Sequence, residues 1–130
     1  MNFRTRWTLP IVCLITLTAC QSTATVTRTG PLDVVRVLLP GSVGAGAEMK
    51  VNVTVTEGCS ETVPDIVAER SASALRLTVQ RTVTGNAAST PCLPVVFRVK
   101  ATYTNPGSPL RTDPFEVFVN GESYGVVAIR

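Results

Sequence analysis

Val51, Val53 and Val55 alternate with Asn52, Thr54 and Thr56 in an unbroken period of two. Successive side chains of an extended chain point to opposite faces, so this period makes one apolar and one polar face, the pattern of a half-buried strand. The pattern returns twice downstream. Leu75, Leu77, Val79 and Val83 alternate with Arg76, Thr78, Gln80 and Thr82, and Val95, Phe97, Val99, Ala101 and Tyr103 alternate with Val96, Arg98, Lys100 and Thr102. Strands that are apolar on one side only must be buried against another layer, which restricts the chain to stacked sheets or a closed barrel.

The remaining segments fit the same reading. Leu32 to Leu39 is apolar apart from Asp33 and Arg36, with Val35, Val37 and Leu39 expected on one face and Val34, Arg36 and Leu38 on the other, and Pro40-Gly41 stops it. Asn105-Pro106-Gly107-Ser108 predicts a type II turn, in which proline presets φ and glycine takes φ > 0. Phe115 to Val119 and Tyr124 to Ile129 flank Asn120-Gly121, the strongest short hairpin signal. Arg81 interrupts an inward row, which predicts a bulge or a strand end reaching solvent. Residues 62–69 are the hardest to place. A crossing there, through Val63, Ile66 and Val67, would return Cys59 and Cys92 to the same end of the sheets, and Pro64 makes it an edge strand or an extended strap. The expectation is a single small antiparallel β-sandwich over residues 31–130, immunoglobulin-like in architecture, with about seven strands. A small β-barrel is the alternative. The Cys…Trp…Cys pattern of true immunoglobulin domains is absent.

A different signal occupies the N-terminus. Arg4 and Arg6 precede a run of roughly thirteen mostly apolar residues, Trp7 to Ala19, within about the length of a secretory h-region and short of the ~18 that a membrane-spanning helix needs. The run ends in Leu17-Thr18-Ala19-Cys20. This stretch resembles the lipobox of bacterial lipoprotein precursors. The resemblance covers residues 1–20 alone and implies that residues 1–19 are a signal peptide, that the Cys20 thiol receives a diacylglyceryl group, and that the new amino group is acylated. A single acyl chain gives only marginal membrane binding, so several chains on one cysteine suit a stable anchor. Gln21 and Ser22 lack the aspartate associated in that family with inner-membrane retention, so the expected location is the cell envelope, at the outer membrane if the host has one. Residues 20–30, polar and threonine-rich, then read as the lipidated cysteine and a flexible tether.

Processing changes the composition that matters. Loss of residues 1–19 takes Arg4 and Arg6 from the 12 basic residues and none of the 9 acidic ones, leaving a nearly neutral chain. Arg28, Arg36, Lys50, Arg70, Arg76, Arg81, Arg98, Lys100, Arg111 and Arg130 are dispersed in sequence and read as solvated strand faces. Nucleic-acid binding, which needs a concentrated basic face, is not expected. Trp7 and Cys13 also leave with the signal peptide. With Cys20 lipidated, Cys59 and Cys92 remain, and in an exported, oxidising setting two cysteines are most simply a disulfide. Their numbers differ by 33, a loop whose closure is worth roughly 3 to 4 kcal/mol in the chain-entropy treatment.

The chain has no histidine, which excludes Ser-His-Asp and Cys-His catalysis and the usual zinc sites. Asp33, Glu48, Glu57, Glu61, Asp65, Glu69, Asp113, Glu116 and Glu122 fall mostly at strand ends or on polar faces, where carboxylates mainly confer solubility. Gly41 to Lys50 is rich in glycine but lacks the G-x-x-x-x-G-K-[ST] order and leads into a strand, so it reads as a mobile inter-strand connection. Glu57, Glu61 and Asp65 lack the D-x-D-x-D-G pattern of a calcium loop. No catalytic residue, cofactor or metal is therefore expected. The sequence points to a non-enzymatic, lipid-anchored envelope protein whose sandwich surface meets a protein partner or an envelope assembly. The alternative is an envelope-tethered ligand- or glycan-binding module, against which the scarcity of aromatics counts.

Overall fold

A computed structural model of the chain describes residues 27–57, 64–84 and 96–130. Among these the chain is all-β. Nine strands follow in order: β1 (Thr27–Pro31), β2 (Asp33–Leu38), β3 (Ser42–Val43), β4 (Met49–Glu57), β5 (Asp65–Arg70), β6 (Ala74–Thr84), β7 (Phe97–Asn105), β8 (Phe115–Val119) and β9 (Glu122–Ile129). They form a six-stranded sheet in the order β1-β6-β8-β9-β3, with β5 also on β6, and a three-stranded sheet β2-β4-β7. The two pack as a sandwich and do not close into a barrel. Neighbours are antiparallel except β6–β8 and β3–β9, which are parallel.

The period-two rows supply the core. Met49, Val51, Val53 and Val55 of β4 and Val99 of β7 face Leu75, Leu77 and Val79 of β6, Phe115, Val117 and Val119 of β8, and Val127 of β9. Water is essentially excluded from all of them. Because β-branched side chains pack well on a pleated surface, valine dominates this layer.

All seven expected strands are present, and two further ones join them. Thr27–Pro31, whose first four residues fall in the stretch read as a tether, pairs with Gln80–Thr84 of β6, so the domain starts earlier than residue 31. Ser42–Val43 pairs with Ala128–Ile129. In β2 the register shifts between Val34 and Arg36. This bulge at Val35 lets both Val34 and Val37 pack on the core and leaves Val35 outside, correcting the strict alternation expected there. β5 is an edge strand that pairs with β6 alone among the described residues.

The Asn120-Gly121 hairpin forms as expected, with φ of 50° and 83° at its two central residues, as a type I′ turn requires. Asn120 also has a part that its turn chemistry did not announce. Its backbone N–H donates to Leu77 O at 2.8 Å. Its side-chain Oδ1 accepts from Val79 N at 2.8 Å and its Nδ2 donates to Leu32 O at 2.9 Å. Leu32 N in turn donates to Val79 O. β8 and β1 therefore lie end to end along one edge of β6, and Asn120 fills the gap in the ladder between them.

The turn expected at Asn105-Pro106-Gly107-Ser108 has a different physical basis. Gly107 is not among the glycines at positive φ. A Cβ on it would lie 1.9 Å from Gly46 O and 2.3 Å from Gly46 C. Glycine is required there because the 105–111 loop runs directly against the glycine-rich 41–48 loop. That loop is pinned, which corrects its reading as mobile. Ala45 N donates to Arg130 O, Arg130 N to Val43 O, and Arg111 N to Ala45 O, at 3.0 to 3.1 Å.

Candidate functional site

Cys20, Cys59 and Cys92, the residues singled out from sequence for lipidation and a disulfide, lie outside the described residues, as does Glu61. The other carboxylates do not converge. Glu57 is buried, Asp65 is exposed at the start of β5, Asp113 Oδ1 accepts from Ile129 N at 2.9 Å, and Glu116 Oε1 accepts from Ser123 Oγ at 2.8 Å. No cluster of metal-ligating side chains occurs among the described residues.

The cations carry the information, and they fall into distinct environments rather than one solvated class. Arg111 is 3% exposed. Its Nη1 donates to Gly44 O at 3.2 Å and Ala47 O at 2.5 Å, and its Nη2 to Asn105 Oδ1 at 2.7 Å, Asn105 O at 3.2 Å and Pro106 O at 3.2 Å. One planar fork thus ties the 41–48 loop to the 105–111 loop, a geometry that suits the fixed donor set of a guanidinium. Arg111 has no carboxylate partner among the described residues. Burial lowers its pKa, and the nearby Arg70 guanidinium lowers it further. Arg70 and Arg111 both lie against the Phe115 ring, at 5.8 and 5.6 Å from its centroid, and Arg70 also donates to Pro109 O.

Arg81 settles the question its sequence position raised. No bulge removes it from the inward row of β6, and its charge is instead met by Glu57, with Nε 2.8 Å from Oε1. Arg76 lies on the outer face of the six-stranded sheet, 4.1 Å from the centroid of Phe118. These three inward arginines and one stacked arginine are structural.

Four of the others assemble a surface. Arg36, Lys50, Arg98 and Lys100 are exposed on strands whose alternate residues, Val51, Val53, Val55, Val99 and Ala101, are buried, so all four project from the outer face of the three-stranded sheet. Arg36 is opposite Thr54, which is opposite Lys100. Thr56 is opposite Arg98, and Lys50 opposite Thr104. Between them stand polar, uncharged groups, including Asn52, whose Oδ1 accepts from Thr102 Oγ1 at 2.7 Å. The carboxylates near this face are Asp33, at one end of β2, and Glu48, just before β4. For these four the reading as a solvated strand face holds, and the sheet order gathers residues dispersed in sequence onto one such face; the inward Arg70, Arg81 and Arg111 correct that reading. The signal was present in parity for Lys50, Arg98 and Lys100, which occupy polar positions of alternating strands, whereas the bulge at Val35 breaks that parity for Arg36.

Two shallow clefts adjoin this sheet. One, of about 400 Å³, is lined by Leu38, Leu39, Glu48, Lys50 and Asn52 among others. The other, of about 340 Å³, holds Asp33, Asn120, Glu122 and Tyr124. Burial raises the Tyr124 pKa, helped by the charge of Glu122 and by the hydrogen bond the hydroxyl donates to it. Neither cleft brings together a nucleophile, a base and an oxyanion donor, the minimum geometry for acyl or phosphoryl transfer. Comparison with family models, curated proteins and solved structures finds no match to this chain.

Proposed function

We propose that this chain is a non-enzymatic lipoprotein of the cell envelope, anchored through acyl chains on Cys20 and using its β-sandwich as a surface for a protein partner or an envelope assembly. The observation that supports it is the spacing between anchor and domain. Leu17-Thr18-Ala19-Cys20 stands only residues 21–26 ahead of β1, which begins at Thr27. A chain that short spans at most about 24 Å when extended, so lipidation at Cys20 would hold the domain against the headgroups and not far out from them. In a host with two membranes, the outer membrane is its proposed place.

Metabolic acyl labelling should mark the wild-type chain, and Cys20→Ala should abolish the label and move the protein from the membrane to the soluble fraction. Crosslinking in the native host should then recover envelope proteins with the wild type and lose them with Cys20→Ala. A wild-type chain that takes no acyl label, or a Cys20→Ala protein that stays fully membrane-bound after a high-salt wash, overturns the reading.

The Cys59–Cys92 disulfide belongs to the same proposal. Supporting it, Glu57 and Phe97, which flank the two cysteine-bearing segments, are register partners in β4–β7. Protein isolated without reductant should show no free thiol at either cysteine. Reduction should lower the melting temperature while leaving the β signal in circular dichroism.

A further inference from the structure

The outer face of the three-stranded sheet places Arg36, Lys50, Arg98 and Lys100 on one flat surface that also carries Asp33, in one row with Thr56 and Arg98, and no carboxylate lies within ion-pair distance of any of the four cations among the described residues. β4 and β7 are nine residues long, so the face extends about 30 Å, and the Cα atoms of its outer strands lie about 10 Å apart. The outer face of the opposite sheet has the reverse balance, with Asp65, Glu69 and Glu116 against Arg76 and, just past the end of β9, Arg130, together with the apolar groups of Val67, Phe118 and Val126. The sandwich is therefore electrically polarised from one face to the other.

Charged residues on edge strands commonly prevent edge-to-edge aggregation. That role accounts for Arg36 on β2 and for Arg98 and Lys100 on β7. It does not account for Lys50, which lies on the central strand β4.

We propose that this face rests on an anionic bilayer surface and engages lipid headgroup phosphates, so that the domain lies flat with the six-stranded sheet turned away from the membrane. The inference builds on the lipid anchor at Cys20, which supplies the proximity, and it adds the orientation. Reach permits it. Sheets in a sandwich pack about 10 Å apart, and the chain from residue 20 to Thr27 spans that distance together with the length of a lysine side chain. Arg36 and Lys100, in one row with Thr54 between them, present guanidinium and ammonium donors flanked by hydroxyls, a donor set suited to phosphate oxygens. Basic clusters commonly serve as a second membrane signal beside an acyl anchor, each residue strengthening binding by about fivefold near an anionic surface. The face that remains outward carries Val67, Phe118 and Val126, and it becomes the surface offered to a partner.

The test uses the chain from residue 20 onward with Cys20→Ala, so that neither leader nor acyl group contributes. It is incubated with vesicles of equal parts phosphatidylglycerol and phosphatidylcholine, or of phosphatidylcholine alone, and sedimented. Binding is expected to the mixed vesicles only, and to weaken as salt is added. Arg98→Gln with Lys100→Gln should weaken it about 30-fold. Arg76→Gln with Arg130→Gln, off this face, should change it less than about twofold, with all variants folded at the assay temperature by circular dichroism. Equal binding to both vesicle types, no binding to either, equal loss in both pairs of variants, or tighter retention on single-stranded DNA than on the mixed vesicles would each overturn the proposal. Failure here with acyl labelling of Cys20 intact removes the orientation and leaves the anchor. Success here with no acyl label on Cys20 of the wild-type chain in cells removes the anchor and leaves the face.

Discussion

Arg111→Ala is expected to lower folding stability by about 3 to 5 kcal/mol, the combined effect of losing several charge-assisted hydrogen bonds and deserting their buried acceptors, and a large share of the ~5 to 15 that a domain possesses. The reason lies in what the guanidinium holds. Gly44 O, Ala47 O, Asn105 O, Asn105 Oδ1 and Pro106 O all accept from it. Asn105 is itself buried, so its acceptors have no ready replacement donor. Hydrogen bonds to a charged group contribute about 1.5 to 3 kcal/mol each, and a deserted buried acceptor carries its own desolvation cost. The two loops are also packed too tightly to adjust independently, because Gly107 and Gly46 are in backbone contact. Arg111→Lys should recover little, since a single ammonium cannot bridge acceptors on both loops with the planar fork that arginine supplies. Urea denaturation of the three proteins measures the difference. A loss below about 1 kcal/mol for Arg111→Ala would show that the loops hold each other without the clip.

Nothing near Arg111 in the sequence marks it for this role. It stands in Ser108-Pro-Leu-Arg111-Thr-Asp113, a polar loop with two prolines close by, where an exposed arginine is the ordinary expectation. Its burial depends on the meeting of two loops about 60 residues apart, a tertiary event with no period to announce it. The strands themselves were legible because alternation in β4, β6 and β7 is a local property, dictated by which face each side chain takes. Where the local rule was interrupted, the outcome depended on the neighbour across the sheet. Val35 lies in a bulge that only the pairing with β4 defines, and Gly107 serves a close approach that its turn-like context concealed. The cationic face was half legible. Parity assigned Lys50, Arg98 and Lys100 to polar positions, but only the order β2-β4-β7 shows that they share one surface with Arg36.

The Glu57–Arg81 pair should respond asymmetrically to substitution, and the asymmetry follows from exposure. The Glu57 side chain is fully buried, while that of Arg81 is 24% exposed. Arg81 Nε lies 2.8 Å from Glu57 Oε1, yet the N–H is not aligned well enough for a hydrogen bond, and neither carboxylate oxygen has another partner among the described residues. The carboxylate therefore depends on Arg81 for nearly all its compensation. Arg81→Leu leaves an unpaired anion among Val55, Val79 and their neighbours in the sheets and should cost about 3 kcal/mol or more. Glu57→Leu leaves a cation whose long stem can carry its head to water, and should cost less than about 1 kcal/mol. In the double variant the buried charge is gone, and two leucines extend the apolar rows of β4 and β6. Its stability should match or exceed that of Glu57→Leu alone, as replacing a whole buried pair by apolar groups often does. Thermal or urea unfolding of the four proteins gives the coupling free energy directly. Equal losses in the two single variants would mean that Glu57 has water or another cation beside it, and that Arg81 lies inward for packing rather than to balance its charge.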